Sequence, residues 1–165
     1  MARAEVIVDE PSLRGNPDFG WLTNNMKDVL TEGASVAIID DDQSIREAIK
    51  TLLDSLGLNV EEFSSAEGFL NSGRSQPFDC LLLDVRMPGL GGLELQRRLA
   101  ADNSRIPIVF ITAHYSEEDR TKAMEAGAID FLNKPFSEHE LLTAIGSALA
   151  SFTDRYGAEP DSVDE

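Results

Sequence analysis

The feature that most constrains the fold is a regular alternation of short apolar runs and amphipathic stretches between residues 34 and 151. The runs SVAIID, LNVEEF, DCLLLD, IPIVFIT and AIDFL have the length of strands, and a stretch that could form a helix follows each. After the first run, one helical stripe consists of Ile45, Ala48, Ile49, Leu52, Leu53 and Leu56. Five strands alternating with five helices predict an α/β fold, in which right-handed crossovers build a parallel sheet covered by helices on both faces. The uninterrupted apolar strands agree with a sheet buried on both sides.

Several local signals predict where these helices begin and end. The spacing of a capping box occurs at Ser64–Glu67, Ser116–Asp119 and Ser137–Glu140, each ahead of a helical stretch. Gly57 is placed to end the first helix. A further helix is predicted from Gly92 to Ala101.

Polar residues stand where the apolar strands end. Asp40 and Asp41 follow the first strand, and Asp84 ends the third. Thr112 ends the fourth strand, and the fifth leads into Lys134. Because the carboxyl ends of parallel strands lie on one edge of a sheet, where ligands of such folds bind, we expect these side chains to converge.

Three carboxylates in one small site repel each other and need a cation. At about 5 Å and an effective dielectric constant near 20, each pair costs roughly 3 kcal/mol. Lys134 supplies one positive charge, and the oxygen-only donor set favours Mg²⁺ as the metal. The absence of His and Cys from these positions argues against zinc.

The net charge of −16 argues against nucleic acid and anionic membranes as partners, and suits cations or basic protein surfaces.

This set of groups suits phosphoryl transfer to a carboxylate. Asp84 would be the nucleophile and form an acyl phosphate. Mg²⁺ held by Asp40, Asp41 and Asp84 would bind one phosphoryl oxygen. Lys134 would bind another, and the Thr112 hydroxyl with nearby backbone amides the third. The small side chain of the next residue, Ala113, would leave access to the phosphorus.

Four segments now resemble the receiver domains of two-component response regulators. They are IIDDDQSIRE, LLLDVRMPGLGGLEL, IPIVFITAH and AGAIDFLNKPF, in this order, and the resemblance spans about residues 34 to 151. It implies a flavodoxin-like, doubly wound three-layer fold whose five parallel strands have the order 2-1-3-4-5. It also implies a switch that a sensor histidine kinase or a histidine phosphotransfer protein phosphorylates. No enzyme activity is implied beyond this self-catalysed phosphotransfer and slow autodephosphorylation.

The resemblance assigns a role to each site residue. Asp40 and Asp41 match the metal-binding acidic pair, Asp84 the phosphorylated aspartate, and Arg86 the residue whose backbone carbonyl binds the metal. Thr112 matches the switch hydroxyl. The remaining matches are the site lysine Lys134, whose peptide bond to Pro135 is cis in the family, and the aromatic switch residue Phe131.

Other residues allow more than one interpretation. Asp42 could be a further metal ligand or the N-cap of the first helix. Arg86 and His114 each follow a site residue by two positions, so they could modulate the lifetime of the phosphate, as could Ala113, or be simple surface residues. The segment AIIDDDQS also fits haloacid-dehalogenase-like phosphatases, with Asp40 as nucleophile and Asp42 as acid/base. That reading leaves Asp84 without a role.

The flanks carry no strand–helix alternation. Residues 1–33 are an extension in which Phe19, Leu22, Met26, Val29 and Leu30 have roughly helical spacing, and 152–165 form an acidic tail predicted to be disordered. Without a signal peptide or a membrane-spanning run, a cytoplasmic protein is expected.

The predicted output is a changed protein–protein interaction, with an unknown target or a homodimer, through the face of the fourth helix, fifth strand and fifth helix. The alternative is a phosphate relay or sink.

Overall fold

The computed structural model of the chain describes residues 33–73 and 78–156, with side chains up to residue 151. Five strands alternate with five helices in this part of the chain. The strands are β1 (Ser35–Ile39), β2 (Asn59–Phe63), β3 (Cys80–Asp84), β4 (Ile108–Thr112) and β5 (Asp130–Asn133). The helices are α1 (Gln43–Ser55), α2 (Ala66–Leu70), α3 (Gly92–Ala101), α4 (Glu117–Glu125) and α5 (Glu138–Tyr156).

The strands form one parallel sheet in the order β2-β1-β3-β4-β5. This arrangement confirms the predicted flavodoxin-like fold. β1, β3 and β4 occupy the centre, and every residue of β3 and β4 is buried. Their apolar composition follows from this position, because a central parallel strand has a helical layer against each face.

Two hydrophobic clusters pack against the two faces of the sheet. Alternate strand residues supply them: Ile38 and Leu82 belong to one cluster, and Ile39 and Leu83 to the other. Side chains of α1 and α5 complete the first cluster, and those of α2, α3 and α4 the second. The single cysteine, Cys80, opens β3 and is buried in the first cluster.

The helix starts agree with the predicted caps except in α2. Ser116 accepts a hydrogen bond from the backbone nitrogen of Asp119, and Ser137 and Glu140 form a reciprocal capping box. For α2, the prediction of Ser64 was wrong: the cap is Ser65, whose hydroxyl accepts from the backbone nitrogen of Gly68. Ser64 and Ser65 are the same type of residue, so the sequence alone does not distinguish them. The path of the backbone decides which of the two caps the helix.

α5 continues to Tyr156, beyond the predicted domain boundary at 151. The sequence from 151 to 156 contains no Gly or Pro, and Gly157 is the first residue that disfavours a helix. The predicted helical segment between 19 and 30 and the rest of the acidic tail lie outside the described residues. Among the described residues, no helix combines the length and apolar composition that a bilayer crossing requires.

Candidate functional site

The sheet register brings the predicted acidic residues together. Ile39 pairs with Leu83 across β1 and β3, so the residues that follow, Asp40 and Asp84, lie side by side at the carboxyl edge. Asp41 joins them, and each of the three offers a carboxylate oxygen within 4.8 Å of the others. Asp40 and Asp84 are buried, whereas Asp41 is exposed. The cluster therefore opens to solvent on the side of Asp41.

Both oxygens of the buried Asp40 carboxylate have partners. Its Oδ1 accepts from the backbone nitrogen of Asp42 at 2.8 Å, and its Oδ2 accepts from Lys134 Nζ at 2.8 Å. The two side chains of the ion pair are 0% and 6% exposed. A buried charge requires such compensation, so the ion pair ties the end of β5 to the end of β1.

The protein groups around Asp84 compensate its charge less well than those around Asp40. Its side chain accepts one hydrogen bond, from the backbone nitrogen of Arg86 at 3.3 Å. Burial, and then repulsion from Asp40, raises the pKa of Asp84 to about 7, although Lys134 and the Arg86 amide oppose the shift. Near neutral pH the ionised form needs further positive charge, and a bound cation would supply it.

The donor set of the cluster fits a hard divalent cation. All its donors are carboxylate oxygens, and they are close enough to share one ion. Mg²⁺ is usually bound in proteins through one or two carboxylates and keeps several waters, and the exposed side of the cluster leaves room for them. The backbone nitrogen of Arg86 donates to Asp84, so the Arg86 backbone lies beside the cluster, and the carbonyl ligand implied there stays a prediction.

Thr112 lies at the same edge, at the end of β4. Its side chain is fully buried, and its hydroxyl accepts a hydrogen bond from the backbone nitrogen of His114 at 3.0 Å. Its carbonyl accepts from the backbone nitrogen of Lys134 at 2.7 Å, which aligns the ends of β4 and β5. Ala113 and His114 are exposed at the start of the β4–α4 loop.

Phe131 is buried beneath the β4–α4 loop. Its ring centroid lies 6.0 Å from that of Phe110 and 6.0 Å from that of Tyr115, which packs on it edge-to-face. Tyr115 is 45% exposed. The predicted aromatic switch position is therefore in direct contact with the loop that follows Thr112. The Lys134–Pro135 peptide is cis, as the resemblance implied.

Close backbone contacts shape the loop between β3 and α3. A Cβ at Gly92 would overlap the carbonyl oxygen of Asp84, so α3 can begin against the end of β3 only with glycine at this position. Gly89 adopts φ +79° beside the carboxylate of Glu67, which accepts from the backbone nitrogen of Leu90 at 2.9 Å. This contact lowers the pKa of Glu67.

Three contributors to the site were missed in the sequence. Arg46 donates to the carbonyl of Asp40 at 2.7 Å and forms an ion pair with Glu62, which fixes the β1–α1 loop. Glu67 binds the β3–α3 loop, and Asp119 forms an ion pair with Arg86. The place of Arg46 in the first turn after the acidic run could have indicated its role. Glu67 and Asp119 stand in the sequence as the last positions of predicted capping boxes, and no local pattern marks their contacts with the β3–α3 loop and with Arg86.

The structure shows the contacts of Asp42 and Arg86, two residues for which the sequence allowed more than one role. Asp42 caps α1 by accepting from the backbone nitrogens of Ser44 and Ile45, which confirms the N-cap interpretation. Arg86 is exposed, and its guanidinium points to Asp119 in α4 at 2.9 Å. His139, in the first turn of α5, is also exposed.

Several curated proteins are similar to this chain. It is 49% identical over 121 residues to the response regulator protein TodT of Pseudomonas putida, a match covering 73% of this chain and 53% of TodT. It is 41% identical over 120 residues to the transcriptional regulatory protein FixJ of Bradyrhizobium diazoefficiens, covering 73% of this chain and 58% of FixJ. The chain thus spans about half the length of the curated relatives it matches.

This chain is also similar to several solved structures. The response regulator StyR is 48% identical, with a TM-score of 0.70 over 74% of this chain and 62% of that chain. The crystal structure of FixJ-N is 34% identical, with a TM-score of 0.67 over 73% of this chain and 96% of that chain. Residues 36–146 match the family model of the response regulator receiver domain. This chain therefore belongs to the response regulator receiver domain family, as its relatives, its sheet order and its acidic edge together show.

Proposed function

We propose that the chain is a phospho-accepting signalling switch. Asp84 takes a phosphoryl group from a histidine of a sensor kinase or of a phosphotransfer protein, and the phosphorylated form has changed protein–protein interactions. One observation carries this proposal: Asp84 is 5% exposed at the strand edge, beside Asp40, Asp41 and the Lys134–Asp40 ion pair. A cytoplasmic location, expected from the sequence, remains a prediction.

In the transfer step, a carboxylate oxygen of Asp84 forms a bond to phosphorus. The bond from phosphorus to the donor histidine nitrogen breaks, and that nitrogen keeps the electron pair. Lys134 and the Thr112 hydroxyl are the proposed partners of two phosphoryl oxygens. Such positioning and charge stabilisation provide most of the catalysis in phosphoryl transfer. In slow autodephosphorylation, water attacks the phosphorus and the Asp84 oxygen leaves.

Asp40, Asp41, Asp84 and the backbone carbonyl of Arg86 are the proposed ligands of Mg²⁺. When bound, the ion would offset the negative charge of the carboxylates and of the incoming phosphoryl oxygens. Arg86, Ala113 and His114 are proposed modulators at the mouth of the site. Phe131 is the proposed aromatic switch residue, because its ring packs on Tyr115 in the loop that follows Thr112.

The dehalogenase-like phosphatase alternative receives little support. It needs Asp40 as an accessible nucleophile, but this side chain is 0% exposed and ion-paired with Lys134. It also needs Asp42 as a free acid/base, whereas its carboxylate accepts hydrogen bonds from two backbone nitrogens of α1.

Incubation with acetyl phosphate and Mg²⁺ tests the site assignment. We expect the intact mass of the full chain to rise by one phosphoryl group, and Asp84→Asn to abolish this increase. Asp102→Asn, at an exposed position outside the cluster, is the matched control and should be phosphorylated like the wild type. Persistent labelling of Asp84→Asn at Asp40 would contradict the proposal.

The output face is proposed to include β5. This strand is an edge of the sheet, and a groove of about 550 Å³ runs between it and the first turns of α5. Together with α4 it could bind a target protein or a second copy of the chain. The alternative, a relay or sink, would pass the phosphoryl group to another histidine without changing any interaction of its own.

Light scattering distinguishes these outputs. A homodimer is expected to raise the molar mass of the full chain on addition of Mg²⁺ and beryllofluoride, a phosphoryl mimic. An unchanged mass excludes the homodimer. Transfer of label from phosphorylated Asp84 to a purified phosphotransfer protein would favour the relay.

A further inference from the structure

We propose that Asp119 is a positioning residue that holds the Arg86 guanidinium away from Asp84 until a phosphoryl group on Asp84 competes for it. The start of α4 would thereby be coupled directly to the phosphorylation state. This inference rests on the proposed function of Asp84, and it assigns a role to a contact that the phosphotransfer chemistry does not use.

The ion pair bridges two separate parts of the acidic edge. Arg86 Nη2 lies 2.9 Å from Asp119 Oδ2, which joins the β3–α3 loop to the first turn of α4. The backbone nitrogen of the same arginine lies 3.3 Å from Asp84 Oδ1. Because the guanidinium is carried on a flexible stem from this backbone position, changes of rotamer are sufficient to turn it from Asp119 toward an oxygen bound at Asp84.

The energetics of the two partners favour such an exchange. The Arg86 side chain is 55% exposed and that of Asp119 is 16% exposed, so solvent screens the pair mainly from the arginine side and its release requires only modest free energy. A phosphoryl group carries nearly two negative charges and three acceptor oxygens, which suit a bidentate arginine. The guanidinium should therefore prefer the phosphoryl group to a single carboxylate.

Asp119 remains stabilised when Arg86 leaves. It lies in the first turn of α4, where the helix macrodipole favours a negative charge. Its backbone nitrogen is held independently by the Ser116 hydroxyl at 3.2 Å. The helix terminus and the exposed part of the carboxylate therefore compensate part of the Asp119 charge when the pair opens.

The pair matters for α4 because this helix has few apolar anchors. α4 is described in full and buries one side chain, Ala123, whereas α1 buries Ile45, Ile49 and Leu53. The carbonyl of Ala123 also accepts from Gln96 Nε2 of α3 at 3.1 Å. These two contacts lie in the second half of α4. The first turn is held instead by the ion pair between Asp119 and Arg86, which comes from the separate β3–α3 loop.

Beryllofluoride binding to the full chain at a fixed Mg²⁺ concentration tests the proposal, with fluorine NMR to measure affinity. Asp119→Asn frees Arg86, and we expect it to tighten binding about two- to fivefold, the factor that an exposed ion pair contributes. Arg86→Gln should weaken binding. The double variant should match Arg86→Gln, because Asp119 acts only through the arginine.

Two further variants separate this role from general electrostatics and from helix stability. Glu118→Gln removes an acid next to Asp119 that pairs with Lys122 at 3.2 Å, and it should leave the affinity unchanged. Asp119→Ser removes the charge but keeps a residue suited to a first helical turn, and it should tighten binding as Asp119→Asn does.

Three results would overturn the inference: an unchanged affinity in Asp119→Asn and Asp119→Ser, an equal gain in the Arg86→Gln background, or an equal gain in Glu118→Gln. These results are distinct from failure of the proposed function. In that case the wild-type chain itself would not bind beryllofluoride in a way that requires Asp84.

Discussion

Replacing Asp84 with asparagine should stabilise the metal-free protein, although it removes the proposed phosphorylation site. The pKa of Asp84 is raised from its usual 3.8 to about 7 by burial and by Asp40. The folded state therefore favours the protonated form. The free energy of unfolding that this raised pKa contributes is fully present below about pH 4, and it is lost as the pH rises through about 7. Asparagine carries no charge at any of these pH values.

The size of the effect follows from the shift of the pKa. A difference between 3.8 and about 7 corresponds to about 4 kcal/mol of unfolding free energy by proton linkage. Coulomb repulsion gives a similar figure: two carboxylates within 4.8 Å repel by roughly 3.5 kcal/mol at an effective dielectric constant of 20. Above pH 7 without metal, we expect Asp84→Asn to be more stable than the wild type by about 3–4 kcal/mol.

Urea denaturation in EDTA, repeated from about pH 4 to pH 8, measures this difference. The gap should be small at the acidic end and should widen steadily. Mg²⁺ should narrow it, because the wild type keeps all three carboxylates; an ion at a hundredfold excess over its dissociation constant stabilises the fold by about 2.7 kcal/mol. Asp102→Asn is the matched control, and its gap should change little with pH or Mg²⁺. A gap for Asp84→Asn that did not depend on pH, or that Mg²⁺ left unchanged, would refute the reasoning.

Three further predictions concern the supports of the site. Lys134→Met leaves the buried carboxylate of Asp40 without its partner and should destabilise the fold by about 3–5 kcal/mol in urea denaturation, whereas Lys50→Met, in an exposed pair, should have a much smaller effect. Gly92→Ala forces a Cβ against the end of β3 and should lower stability by about 1–3 kcal/mol in thermal denaturation; an unchanged melting temperature would show that α3 can shift freely. Glu67→Ala removes the acceptor of a backbone amide in the β3–α3 loop, so exchange of that amide should accelerate, while Glu67→Gln keeps an acceptor and should protect it.

The fold and the acidic edge could be predicted because they depend on patterns that are local in the sequence. Apolar runs define the strands of this sheet, and parallel pairing then puts Asp40 and Asp84 at the same edge. The chemistry of the donor set follows from residue types alone. The roles of Asp84, Lys134 and Thr112 followed from the chemistry of the converging groups, whereas those of the Arg86 carbonyl and of Phe131 came from the family resemblance, and all of them remain predictions.

The missed contacts depend on the three-dimensional paths of loops. Glu67 reaches the loop after β3, and Arg86 reaches α4, across 23 and 33 positions of sequence. Neither pair has a spacing that a helix or strand would impose, and exposed acidic residues are abundant in this chain. The choice of Ser65 over Ser64 as a cap has the same origin, since backbone direction rather than composition decides it.

The sparse apolar anchoring of α4 has an evolutionary consequence. Since Ala123 is the side chain that this helix commits to the interior, most of its other positions can be substituted without disturbing the hydrophobic clusters. Duplicated genes could thus diverge in which proteins their products recognise while the acidic edge is preserved. A lineage could acquire new signalling connections through surface mutations alone.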